Sequence, residues 1–130
     1  RMTILCMLFF CSSVVLTVPS PQTLKYMQLL ETIDRLKPTV KDKDAELLHT
    51  PENPVDECLF TAVACFRKGI LKLEPKTSQV NATFTQTVRA LKRFTVRNSG
   101  KQCNSTCESY EKKNPIEFLN SLENLIQKVI

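Results

Sequence analysis

A chain of 130 residues with a formal charge of +5 has room for one domain with a modest core and little else. The charge bias is too mild for a nucleic-acid-binding composition; it suits acidic partners or cell-surface polyanions. Its only two glycines, Gly69 and Gly100, are far apart, which excludes a glycine loop that cradles phosphates.

Residues 1–20 read as an address. Arg1 is a short basic start, and Ile4 to Val18 is an apolar run interrupted by Ser12, Ser13 and Thr17. This pattern predicts a secretory signal peptide cleaved between Thr17 and Gln22, leaving one domain over 21–130. The run is too short for a membrane span. Loss of Arg1 leaves a net charge of about +4. Cys6 and Cys11 leave with the signal, and Cys58, Cys65, Cys103 and Cys107 remain. An even count in an exported small domain predicts two disulfides rather than a metal site. Asn81-Ala82-Thr83 and Asn104-Ser105-Thr106 fit the N-glycosylation acceptor pattern, whereas Asn53 and Asn114 precede proline and do not.

Four helices are expected, and no strand. The first runs from about Thr23 to Val40. Leu24, Met27, Leu30, Ile33 and Leu36 make its apolar stripe, widened by Leu29 and Val40; Pro38 ends or kinks it. A polar crossover follows, in which Ala45, Leu47 and Leu48 form a turn of helix against the core. The second helix is expected to start at Asn53-Pro54, with Asn as cap and Pro in the first turn. Its core positions are Leu59, Val63, Phe66, Ile70 and Leu73, with Gly69 and Pro75 marking its weakening and end. The third spans "ATFTQTVRALKRFTV", with Phe84, Val88, Leu91 and Thr95 as its stripe, flanked by Phe94. The fourth opens on an Asn114 cap, Pro115 and Glu117, and buries Ile116, Leu119, Leu122, Leu125, Ile126 and Val129. The class is all-α.

Helical spacing constrains the disulfides. Seven residues apart on a helix, Cys58 and Cys65 stand roughly 10 Å apart along the axis, beyond the reach of a disulfide. Each therefore takes one of Cys103 and Cys107, which leaves two connectivities open.

Catalysis has no support. His49 is the only histidine and sits in a polar loop without a nucleophile and acid around it; neither an enzyme activity nor a cofactor is expected. Arg89, Arg93 and Arg97 recur every four residues on one helical face with Lys92 beside them. Such a row serves as a solvated face, a receptor contact or a glycosaminoglycan site. Lys25, Gln28, Glu31, Asp34 and Arg35 make a mixed polar face on the first helix. In the last helix Gln127 lies about 200° around from Leu125, on one face with Ile130 and with Glu123 one turn earlier.

Three stretches carry a family resemblance. "CESYEKKNPIEFLNSLENLIQKVI" closes the chain, "ECLFTAVACFRKGILKL" holds the first cysteine pair, and "LLETIDRLKPTV" forms the first helix. Together they resemble the interleukin-2/interleukin-15/interleukin-21 cytokine family. Ser109 to Lys113 ("SYEKK") point to its interleukin-21 branch, while the cysteine framework and "EFL" are shared with the interleukin-15 branch. The resemblance implies a short-chain, four-helix, up-up-down-down bundle with bridges Cys58–Cys103 and Cys65–Cys107. It implies a secreted monomer that signals through a private type I cytokine receptor chain and the common cytokine receptor γ chain. Gln28 and Asp34 match positions the family uses for its private receptor, and Lys92 and Arg93 match the basic residues of its "LKR" contact with an acidic receptor surface, with Arg89 one turn before. Gln127 and Ile130 match the γ-chain site. The chain departs from the interleukin-21 pattern between Cys103 and Cys107, with three intervening residues instead of two and the Asn104 acceptor among them. The rival reading from the residues is a basic secreted helical protein acting on membranes or polyanions, in the manner of saposins; those normally keep six paired cysteines, against four here.

Overall fold

The computed structural model describes residues 21–77, 82–97 and 100–130; the expected signal peptide and Asn81 fall outside them. Among the described residues, α1 (Pro21–Leu36), α2 (Leu59–Ile70), α3 (Ala82–Arg93) and α4 (Pro115–Val129) carry the fold. Their directions follow from side-chain partners. Tyr26, in the second turn of α1, sets its ring edge-on to Phe94 just beyond α3, with centroids 4.8 Å apart, and donates to the Thr95 carbonyl at 3.1 Å. Thr23 shares a pocket with Val129 and Ile130, while Lys37, past the other end of α1, pairs with Glu123. Helix α1 is thus antiparallel to α3 and α4. Helix α2 opposes the same two: Leu59 lies near Val129, Phe66 packs on Phe118 at 5.2 Å, and Ile70 and Leu71 reach Val88. The result is an up-up-down-down bundle.

The core explains where the apolar pattern misleads. Leu29, Ile33 and Leu36 are buried, but Leu24 and Met27 are 43% and 49% exposed. A strict three-residue repeat slips about 60° per step on an α-helix, so a stripe from Leu24 to Leu36 cannot stay on one face. The buried set instead follows i, i+4, i+7. In α3 and just past its end the core positions are Thr87, Leu91 and Phe94, with Phe84 and Val88 half-buried and Thr95, beyond the helix, exposed. Phe118, which the α4 stripe omits, is fully buried.

Two identical dipeptides behave differently. Asn114 caps α4 as expected, its side chain accepting from the Glu117 N–H at 2.9 Å, with Pro115 in the first turn. Asn53-Pro54 does not start α2. Asn53 has a positive φ of 45°, Pro54 and Val55 stay outside any helix, and a 3-10 turn at Asp56–Cys58 leads into Leu59. The chain is drawn across the bundle end, where the Lys128 ammonium donates to the Pro54 carbonyl at 3.1 Å. Proline also disfavours helical backbone in the residue before it.

The crossovers contain the structure that periodicity could not reveal. Leu48–His49 (β1) pairs antiparallel with Lys112–Lys113 (β2), replacing the expected turn of helix, and the Thr50 N–H extends the pairing to the Glu111 carbonyl at 2.9 Å. Leu48 is buried and Leu47 is half exposed. His49 Nδ1 lies 2.8 Å from the Tyr110 carbonyl. Asp42, from the first crossover, accepts from the Ile116 N–H at 2.9 Å, so a distant residue completes the α4 N-terminus. Of the two connectivities left by helical spacing, the structure contains Cys58–Cys103 and Cys65–Cys107, closing separations of 45 and 42 residues. In the chain-entropy view each contributes on the order of 4 kcal/mol.

Candidate receptor-binding surfaces

The antiparallel pairing of α1 and α3 creates an open groove of about 760 Å³ between them. Lys25 and Gln28 line it from α1, Arg89 and Arg93 from α3, and Leu29, Ala90 and Phe94 lie along it. The four polar side chains are exposed. Helical pitch decides the rest. Glu31 and Asp34 also face solvent but on the outer side of α1, beside exposed Leu24 and Met27. Arg35 is exposed at the edge of the groove, its guanidinium donating at 3.5 Å to the hydroxyl of Thr32, which lines it. Lys92 turns to the opposite flank of α3 and lines a second, smaller depression with Arg67, Lys68 and Leu71 of the α2 region. The expected private-receptor residues thus divide among a groove, an outer helix face and the α2–α3 flank.

A second surface follows the seam of α1 and α4. Gln127 is exposed and Ile130 is 47% exposed; Ile130 shares a pocket with Gln22 and Thr23 of the first turn of α1. Glu123 departs from the expectation of one open face with these two. Its side chain is only 14% exposed and pairs with Lys37, whose ammonium also lies 3.3 Å from Asp34. One cation serving two carboxylates sets the protonation preferences. Burial draws the Lys37 ammonium down, but Glu123 and Asp34 outweigh it and hold it above its usual value. For Glu123, burial pushes the carboxyl up, Lys37 pulls it down and Asp34 pushes it up again; the net is upward.

Arg67 has a structural task that sequence reading did not identify. Its guanidinium donates to the carbonyls of Leu91, at 3.1 Å, and Phe94, at the end of α3 where carbonyls run short of helical donors; the Leu91 carbonyl also accepts from the Phe94 N–H at 3.1 Å. The available signal was its place in the last turn of one helix, which says nothing about a neighbour. Asn104 is exposed in the loop between the two bridged cysteines. Among the described residues no His, Cys, Asp or Glu cluster is arranged to hold a metal, and no helix is long and apolar enough to cross a membrane.

Comparison with protein families gives a match to Interleukin 15 across residues 6–130. The chain belongs to the interleukin 15 family. It is a cytokine of the interleukin-2/interleukin-15 type, a non-enzymatic class of secreted proteins that bind cytokine receptor chains. The match agrees with the resemblance at the level of the family. It names the interleukin 15 branch, where Ser109 to Lys113 point to the interleukin-21 branch.

Proposed function

We propose that this cytokine is secreted as a monomer, after loss of residues 1–20, and regulates lymphocytes by bridging a private type I receptor chain and the common cytokine receptor γ chain. The observation that supports this is the presence of two differently constituted surfaces on the two flanks of α1. The α1–α3 side carries Lys25, Gln28, Arg89 and Arg93 in the groove, with Arg35 at its edge, Glu31 and Asp34 on the outer face of α1 and Lys92 on the far flank of α3, and fits a charged private-receptor contact. The α1–α4 side carries Gln127 and Ile130, with Glu123 held at its edge by Lys37, and fits a flat contact of low charge. Between the two branches, Ser109 to Lys113 favour an interleukin-21-type private chain and the family match an interleukin-15-type chain; binding to each isolated private receptor separates them.

The test is Gln127→Asp, alone and with Ile130→Asp. Each places a carboxylate where the γ chain would desolvate it, at a cost of roughly 1–3 kcal/mol. The variants should fold, bind the private chain normally, fail to signal and compete with the wild type. Normal signalling at matched private-receptor occupancy would remove the γ-chain contact from this seam.

A further inference from the structure

Charge on this cytokine is segregated along the chain. From Pro75 to Cys107 there is no Asp or Glu, while Lys76, Arg89, Lys92, Arg93, Arg97 and Lys101 all fall in that stretch. Elsewhere, Lys37, Lys41, Lys72 and Lys113 each lie within 4.0 Å of a carboxylate. On the α3 side, Arg89, Lys92, Arg93 and Arg97 are exposed and, among the described residues, none forms an ion pair or a hydrogen bond. Lys25 adds a fifth unpaired cation from across the groove, nearly two turns before Glu31, the first acid of α1.

We propose that the α1–α3 groove and the outer face of α3 bind a linear, highly sulfated glycosaminoglycan of the heparan sulfate type. Arg89 and Arg93, four residues apart on α3, rise about 6 Å from one to the next, so no single phosphate or carboxylate spans them, whereas a polyanion laid along the helix meets both. Arg97, expected on the same helical face, instead lies past the end of α3 beside Gln22 and Thr23 of α1. The guanidinium fork matches a planar pair of anionic oxygens, and its exposed position leaves no internal ion pair to break. Release of counterions from the polymer then supplies the affinity. Because Lys25, Arg89 and Arg93 also lie on the proposed private-receptor surface, a bound polysaccharide holds the cytokine with that surface covered; this second half rests on the receptor reading.

The experiment titrates the secreted chain with a heparin oligosaccharide over a series of NaCl concentrations. It compares the wild type with Arg89→Ala/Arg93→Ala and with Lys41→Ala/Lys72→Ala, which changes the formal charge equally. The arginine pair should weaken binding about tenfold and lower the slope of log affinity against log salt by about 2, with the lysine pair near wild type. Since neither side chain makes a hydrogen bond or an ion pair, the urea midpoint should stay close to that of the wild type. Absence of wild-type binding, equal losses in both variants, or equally tight binding of unsulfated hyaluronan or of duplex DNA would each overturn the site. Binding of the private-receptor ectodomain to the same variants separates the two readings. Lost heparin binding with unaltered receptor binding leaves the polysaccharide site standing and moves the receptor elsewhere.

Discussion

Gly69 allows the packing of α2 against α4 to be tested with one methyl group. Replacing a glycine inside a helix by alanine ordinarily stabilises by about 0.5–1 kcal/mol, because the unfolded chain has less freedom to lose. Here a Cβ on Gly69 would stand 2.7 Å from both Cε1 and Cζ of Phe118, where carbon atoms prefer about 3.5–4.0 Å. The ring tip would have to retreat by about 1 Å, yet Phe118 is fully buried and its ring leans on Phe66. Overpacking of this kind costs about 1–3 kcal/mol, which exceeds the helix gain. Gly69→Ala should therefore destabilise by about 1–2 kcal/mol and lower Tm by roughly 5–10 °C, measured with both bridges oxidised. In a Phe118→Leu background the same substitution should become neutral or stabilising, because the ring tip is gone. A Gly69→Ala protein that melts higher than the wild type would refute the close-approach argument and return Gly69 to being a weak point of the helix.

Arg67→Met keeps most of the aliphatic stem but withdraws the donors from two carbonyls at the end of α3; thermal unfolding should show a loss of about 1–3 kcal/mol. Glu123→Gln should alter the pH dependence of stability. A carboxyl raised on folding contributes stability below its unfolded value and loses it as pH rises through the folded one, so the wild type should lose ground to the variant from pH 4.5 upward until Glu123 is fully ionised; urea midpoints that run parallel across that window would argue against the two-carboxylate cluster. Asn114→Ala and Asp42→Ala each remove one acceptor from the start of α4 and should cost about 1 kcal/mol apiece. If amide exchange at Ile116 accelerates only in the Asp42 variant, and that at Glu117 only in the Asn114 variant, the division of labour is confirmed.

What the sequence made legible were features encoded within a few residues of one another. The Asn114-Pro115-Glu117 start of α4, the apolar face of that helix and the exclusion of a Cys58–Cys65 bridge all depend on local helical geometry. Long-range constraints were not legible. Asn53-Pro54 carries the same local signal as Asn114-Pro115, and distant residues distinguish them: Asp42 completes the start of α4, while Lys128 binds the Pro54 carbonyl. The β1–β2 pair is two residues long on each side, too short for alternation to register. Leu24 and Met27 counted as core because a three-residue spacing mimics a helical stripe over one turn and fails over three. For the candidate surfaces, the arginine row on α3 could be read directly, but the separation of Lys92 from Arg89 and Arg93 needed the positions of two neighbouring helices. The capture of Glu123 by Lys37 likewise required α1 to run back along α4.

The placement of the bridges has a kinetic side. During synthesis Cys58 and Cys65 emerge together, and their partners follow only 45 and 42 residues later. Throughout that interval two reactive thiols share one short segment in an oxidising compartment, where the nearest sulfur to each is the wrong one. A coiled chain would let them meet. Once α2 and the 3-10 turn that carries Cys58 into it have formed, the helical rise holds them roughly 10 Å apart. Early helix formation in this segment therefore acts as a guard on oxidation. It keeps both thiols available until the second half of the chain arrives, and a proline placed within α2 should reveal itself first as misbridged product rather than as lost activity.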